Sequence, residues 1–410
     1  MATQIFTNIS LIANTRKGKG FIRGKELSNL PSIENAYVII EDDIIAELGK
    51  MENLRFSKEN YCLKDNTIVL PCWCDSHTHI VFAASREEEF IDKIKGLSYA
   101  EIASKGGGIL NSAKKLNEAS EGELFNSAWK RLKEISKLGT GAVEIKSGYG
   151  LTVEGELKML RVIKKLKEKS PLKIKSTFLG AHAFPVEYKE NHKAYIDSII
   201  NEMLPVIAKE NLADYIDVFC ENGFFSAEEM TTICVAAKNF RLKPKLHVNQ
   251  LNNIGGIEAG ISLGALSLDH LENLTDNNIS MLGNFNGAST LLPTAAFFLN
   301  MPLQRARSLI NEGAAVTLAS DYNPGSSPSG NMNFVFSLSC IQMRMLPEEA
   351  LNAATFNGAC AMEIEENYGS IAIGKKANLI FTQPVPSLAY LPYSFGKNSI
   401  DKVMINGSFV

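Results

Sequence analysis

The sequence predicts an α/β protein: a distorted (β/α)8 TIM barrel over about 66–360, with a small β-sandwich domain built from both chain ends, 1–65 and 361–410. Three observations predict it. Eight short apolar runs recur through the middle of the chain. Helix-like stretches separate most of them, the pattern of βαβ units around a parallel sheet. Both ends carry a different rhythm of short strands and Gly/Asn turns. Eight such strands over about 250 residues fit a closed barrel better than the competing doubly wound open sheet.

The elements follow in order. AYVIIEDDIIAEL (36–48) places β-branched runs on either side of an acidic pair, as in a hairpin. The apolar runs of the middle are TIVLPCWCDSHTH, GAVEIKS, LKIKSTFLGAH, YIDVFC, KPKLHVN, LSLDH, STLLPT and AAVTLASD. Between them, 121–139 and 153–169 read as helices; in the second, Leu157, Leu160, Ile163 and Leu166 recur at helical spacing. At the far end, 369–383 and 400–410 cluster apolar residues around Gly and Asn turns. The ends are therefore expected to meet in one small β domain. No short-period repeat is visible, which argues against a solenoid.

Composition narrows the function classes. Of 410 residues, 45 % are apolar and 21 % charged, which excludes a long disordered or fibrous chain. The net charge of −3 gives no bulk electrostatic reason to bind nucleic acid. No run of apolar residues is long enough to span a membrane, and the N-terminal stretch lacks a basic leader and a small-residue cleavage site. Seven cysteines are sparse and odd in number, as expected of reduced thiols in a cytoplasmic protein. There are six histidines, and five of them, His77, His79, His182, His247 and His270, end strand-like runs. Strand C-termini of a barrel share one face, where chemistry sits.

His77 and His79 flank one residue. In a strand, positions i and i+2 point the same way, so both rings can reach one metal ion. His247, closing KPKLH, reads as a third ligand. Asp321, closing the eighth run, adds a carboxylate. The N3O set suits Zn2+ or Fe2+/Fe3+, one ion per chain, and a metal so held activates water for attack. Asp321 would touch both ion and water and could take the proton. His270 is open between a fourth ligand, an orienting residue and a general acid/base. Its neighbour Asp269 is expected to point away from it.

Histidines and an aspartate at successive strand ends resemble the amidohydrolase superfamily. Within it, DSHTHIVFAASREEEF (75–90), YAEIASKGGGIL (99–110), VEIKSGYGL (143–151), TFLGAHAFP (177–185) and SDYNPGSSP (320–328) resemble a single-metal branch that opens cyclic amides. The resemblance covers nearly the whole chain. It implies hydrolysis of 4-imidazolone-5-propanoate to N-formimidoyl-L-glutamate, a step of histidine degradation. It implies metal ligands His77, His79, His247 and Asp321, with His270 in the catalytic centre. It assigns Arg86 to the substrate carboxylate, and Tyr149, His182, Asn323, Gly325 and Ser326 to further substrate contacts. A homodimer is also implied. Taken alone, Arg86 reads rather as a surface ion pair with Glu88 or Glu89 than as a substrate contact.

Departures and decoys bear on this reading. Related deaminases carry a proton-shuttling Glu three residues after the third His; here Gln250 stands there. Its amide cannot shuttle a proton but can hydrogen-bond a lactam, so it joins the substrate contacts. Cys72 and Cys74 alternate away from the histidines and read as small core residues. Lys146 ends a strand without calling for a second, bridged metal. Gly369-x4-Gly374-Lys375-Lys376 nearly matches a phosphate loop but reads as a turn. Segment 106–110 reads as a mobile loop near the site, and 304–307 as a solvated helix face. The alternatives are another cyclic amidase or deaminase of the superfamily, or a catalytically dead barrel serving as a scaffold.

Overall fold

The computed structural model describes residues 3–55, 61–97, 101 and 107–410. The chain begins in an eight-stranded mixed sheet and returns to it at the end. Its N-terminal strands are β1 (Thr3–Ala13), β2 (Ser32–Glu41), β3 (Ile44–Lys50), β4 (Tyr61–Cys62) and β5 (Ile68–Pro71). Between β5 and β14 runs the barrel, with strands β6 (Trp73–Thr78), β7 (Thr140–Lys146), β8 (Lys173–Ala181), β9 (Tyr215–Cys220), β10 (Lys243–Val248), β11 (Ser267–His270), β12 (Ala288–Leu291) and β13 (Ala315–Leu318). The C-terminal strands are β14 (Leu379–Thr382), β15 (Ile400–Ile405) and β16 (Ser408–Phe409).

The terminal sheet runs β16-β15-β14-β5-β1-β2-β3, with β4 also beside β1. The hairpin expected at 36–48 is β2–β3, turned at Asp42 with φ 54°. A second hairpin, β15–β16, turns on Asn406 and Gly407 at φ 46° and 75°, the left-handed pair that an Asn-Gly turn supplies. The sheet encloses its own apolar cluster, including Phe6, Ile9, Val38, Ile40, Leu379, Phe381 and Met404.

In the barrel, neighbouring strands follow chain order and every pairing is parallel. All eight expected runs contribute a strand. The first run does more: Ile68–Pro71 pairs in the terminal sheet, and Trp73–Thr78 opens the barrel. The chain thus crosses between sheets inside one apolar run, because both halves are buried on both faces. The seam between β13 and β6 is closed past the end of β13. Asp321 N donates to His77 O (3.0 Å), and His79 N donates to Tyr322 O (2.9 Å).

The outer helices take the expected faces. Ser120 and Glu123 form a reciprocal cap for the helix Glu121–Lys137. Thr152 caps Val153–Lys169, whose Leu157, Leu160, Ile163 and Leu166 are buried. The short helix Phe356–Ala361 packs directly on β6: a Cβ on Gly358 would lie 2.2 Å from Cys74 O. Gly358→Ala is expected to destabilise the protein by about 1–3 kcal/mol through overpacking. Thermal unfolding checks this, and an unchanged melting temperature would contradict the tight contact.

All seven cysteines are free. Cys74 packs with Ala142, Ala359 and Met362, and burial pushes its thiol up to about 12. The Gly369–Gly374 stretch is a turn, and Lys375 Nζ is held by Ser370 Oγ at 2.7 Å and by backbone carbonyls. Segment 106–110 lies partly outside the described residues; Ile109 and Leu110 begin the helix Ile109–Glu118. The stretch 304–307 does not form the expected solvated face. Gln304 is buried and donates to Glu272, and Arg307 pairs with the buried Glu349; only Arg305 is exposed. Among the described residues, no helix is long and apolar enough to cross a membrane.

Candidate metal centre and active site

Strand alternation turns His77, His79 and His247 into the barrel mouth, where all three are buried. His77 Nε2 lies 3.1 Å from His247 Nε2 and 3.3 Å from His79 Nε2. Asp321 Oδ1 lies 3.5 Å from both His77 Nε2 and His79 Nε2. Four ligand atoms around a tetrahedral ion at about 2.0–2.1 Å would sit roughly 3.3 Å apart. The donor set therefore fits one divalent cation. His270 shares this point, since it groups with His77 and Asp321 within 4.8 Å.

The electrostatics draw positive charge to the same point. Burial and Lys146 oppose a proton on His77, yet its bonds to Asp269 and Asp321 outweigh them and push it up to about 9. Burial and the neighbouring rings lower His247 well below the ordinary histidine value, and burial lowers His79. Asp321 is buried too, but His77 and His79 hold its carboxyl well below the usual range.

Each of two rings is held from behind. His77 Nδ1 donates to Asp269 Oδ2 (2.7 Å), and His247 Nδ1 donates to Asp217 Oδ2 (2.8 Å). Both bonds fix the tautomer that presents Nε2 to the centre. Asp269 thus does not serve His270, as expected, but serves His77 instead.

The turn after β13 shapes the rest. Asp321 sits at φ 52°. Ser326 Oγ donates to Asp321 Oδ2 at 3.1 Å. Asn323 Oδ1 accepts from Gly325 N and Ser326 N, each at 2.8 Å, and its Nδ2 donates to Asp321 O and Ser326 Oγ. The Asn323 side chain is therefore spent on the turn. Beneath it, Asp75 accepts from Ser320 N and Oγ, and burial raises its carboxyl to about 6 despite those bonds.

Above the cluster opens a cavity of about 760 Å3. It is lined by all seven expected substrate residues, Arg86, Tyr149, His182, Gln250, Asn323, Gly325 and Ser326, together with His79, His247, His270 and Asp321. Arg86 precedes the helix Glu87–Ile94 and donates from Nε to Ser112 Oγ (2.8 Å). Its distance to Glu89 is 4.0 Å, the limit of an ion pair, and Glu89 instead accepts from Gly108 N (2.9 Å). A Cβ on Gly325 would meet Arg86 Nη1 at 2.6 Å, so glycine lets the guanidinium approach the turn. The Arg86 guanidinium lies 6.0 Å from the Tyr149 ring centre. His182 Nδ1 donates to Gly148 O (2.8 Å), and burial lowers its pKa to about 3. Its ring is neutral, and Nε2 is free to accept. Gln250 is set by its backbone: Glu221 Oε1 accepts from Gln250 N (2.6 Å) and Leu251 N (3.0 Å).

Residues 68–410 match the amidohydrolase family. An imidazolonepropionase of Flavobacterium johnsoniae is 57 % identical over 390 residues, 95 % of each chain. One from Christiangramia forsetii is 53 % identical over 410 residues and 100 % of each chain. The chain belongs to the imidazolonepropionase branch of the amidohydrolase family. It is a metal-dependent hydrolase. A further imidazolonepropionase, from Clostridium tetani, is 44 % identical over 94 % of this chain and 93 % of its own. Solved folds agree. A triazine hydrolase variant superposes with TM-score 0.73 at 14 % identity, covering 99 % of this chain and 94 % of that one. E. coli guanine deaminase gives 0.73 at 12 %, covering 100 % and 99 %.

Several residues of this amidohydrolase site escaped the sequence reading. Asp217 hides inside YIDVFC, and Asp269, expected only to point away from His270, had no partner assigned. Glu272, buried, faces His270 Nδ1 at 3.4 Å and accepts from Gln304 Nε2 at 2.8 Å. Phe90, Lys93 and Phe298 line the cavity mouth. The available signal was a charge interrupting an apolar strand run. His192, unassigned from sequence, stacks on Phe184 and pairs with Glu229 (2.9 Å), away from the site.

Proposed function

We propose that the chain hydrolyses 4-imidazolone-5-propanoate to N-formimidoyl-L-glutamate, a step of histidine degradation. The observation that carries the reading is one cavity with a buried His/Asp cluster at its base and a guanidinium at its side. That polarity matches a substrate with a cyclic amide at one end and a propionate at the other. His77, His79, His247 and Asp321 would hold one zinc or iron ion, which when bound supplies Lewis acidity at the ring carbonyl.

The chain's own groups do the rest. Arg86 offers a planar fork to the propionate, with Tyr149 beside it, and so orients the ring. His182, neutral with Nε2 free, accepts a ring N–H. The Gln250 amide hydrogen-bonds the lactam. Asp321, ionised and steadied by Ser326, takes a proton from the attacking water as the water oxygen bonds to the carbonyl carbon. The ring C–N bond then breaks. Its nitrogen is protonated by His270 or Asp321, and the former carbonyl carbon, still bonded to the α-carbon, becomes the new carboxylate. His270 also faces the developing oxyanion. Asn323 and Gly325 contribute by shaping the turn that carries Ser326. The reading carries with it a cytoplasmic homodimer; the seven free thiols support a reducing compartment.

Arg86→Met is expected to raise KM and lower kcat/KM on the order of 10–100-fold, the loss of a charge-assisted hydrogen bond. Steady-state kinetics check it. An unchanged KM would move the carboxylate away from Arg86.

A further inference from the structure

Beneath the metal ligands the barrel is not filled with apolar layers. Glu144 and Lys146 from β7, Asp217 from β9, Lys245 from β10 and Asp269 from β11 meet there, all fully buried. Lys146 Nζ lies 2.7 Å from Asp217 Oδ2, 2.9 Å from Glu144 Oε1 and 3.5 Å from Asp269 Oδ2. Lys245 Nζ pairs with the other oxygen of Glu144 at 2.9 Å and donates to Ala361 O at 2.9 Å. The detail that matters is which oxygens Lys146 meets. Asp217 Oδ2 is the atom that accepts from His247, and Asp269 Oδ2 is the atom that accepts from His77. One ammonium group is therefore shared by the two acceptors that orient two different imidazoles.

We propose that Lys146 is a positioning residue for the metal centre: by bridging Asp217 and Asp269 it locks His77 and His247 into one ligand set and raises the affinity for the divalent ion. The physical reason is charge. Two carboxylates converging in a fully buried barrel interior repel, and a buried carboxylate left without its cation is strongly penalised. Without Lys146, nothing bridges the two aspartates, they move apart, and the histidines they orient lose their fixed acceptors. Changes to groups that hold a ligand from behind typically weaken metal binding 10–100-fold. The inference rests on the ligand assignment proposed above.

The test is chelator competition for Zn2+, with folding monitored by circular dichroism and gel filtration. Lys146→Met is expected to weaken Zn2+ binding roughly 10–100-fold. Because it strands three carboxylates, a charge-balanced variant, Lys146→Met with Glu144→Gln, is measured beside it and is expected to show the same loss. Glu144→Gln alone leaves both aspartate contacts of Lys146 in place and is expected to stay within about 3-fold of the parent. Combining Lys146→Met with Asp217→Asn is expected to cost less than the sum of the two, since both act through one oxygen. His247→Ala separates the two ideas. If it binds Zn2+ as tightly as the parent, the ligand assignment fails. If it loses Zn2+ while either folded Lys146 variant keeps the parent affinity, the role of Lys146 is overturned. Full additivity of Lys146→Met and Asp217→Asn would also overturn it.

Discussion

Asp321→Asn is expected to lower kcat by roughly 1,000-fold or more while KM changes little, the size of effect associated with a general base at a metal centre. The reasoning is specific to this side chain. Asp321 stands 3.5 Å from two of the three histidines, and the same contacts keep its carboxyl ionised despite burial. Asn preserves the shape and can still accept from Ser326, but it cannot take a proton from water. The seam bond from its backbone N to His77 O is untouched by the change, so the barrel is expected to stay closed. Steady-state kinetics with metal analysis decide the matter. A kcat within about 10-fold of the parent, at full metal content, would remove Asp321 from proton transfer.

Stripping the divalent ion with a chelator is expected to abolish turnover, and one equivalent of Zn2+ or Fe2+ per chain is expected to restore it. The melting temperature should fall in parallel. An ion that binds only the folded chain adds about 4 kcal/mol when present at 1,000 times its Kd. The geometry points the same way: His77, His79 and His247 bring their Nε2 atoms within 3.1 and 3.3 Å, the spacing of ligands around one shared cation. Full activity in protein holding less than about 0.1 ion per chain would contradict the metal-dependent reading.

Much of this was legible in the sequence because period and position carry it. The eight apolar runs survive as eight barrel strands, and the i, i+2 spacing of His77 and His79 places both rings at one point. The Asn406-Gly407 turn was likewise written in residue type. Other features depend on pairing that no single strand reveals. Nothing in TIVLPCWC marks the passage between sheets, because both halves are equally apolar. Asp217 and Asp269 each look like a lone acid in a strand and Lys146 like half of an i, i+2 charged pair with Glu144, and charges in a strand ordinarily face water. Only when β7, β9 and β11 curve around one axis do the charges neutralise each other inside the barrel. Gln304 misled for the opposite reason: its neighbours are arginines, yet it turns inward to Glu272.

The central claim is ring opening by water, and isotope tracing reads it directly. The metal-loaded enzyme is incubated with 4-imidazolone-5-propanoate in 18O-labelled water, and the product is identified by mass spectrometry while ammonia is assayed. The account predicts N-formimidoyl-L-glutamate carrying one 18O in its newly formed carboxylate, with no ammonia released at early times. Ammonia appearing without N-formimidoyl-L-glutamate, or a product whose new carboxylate lacks the label, would contradict it.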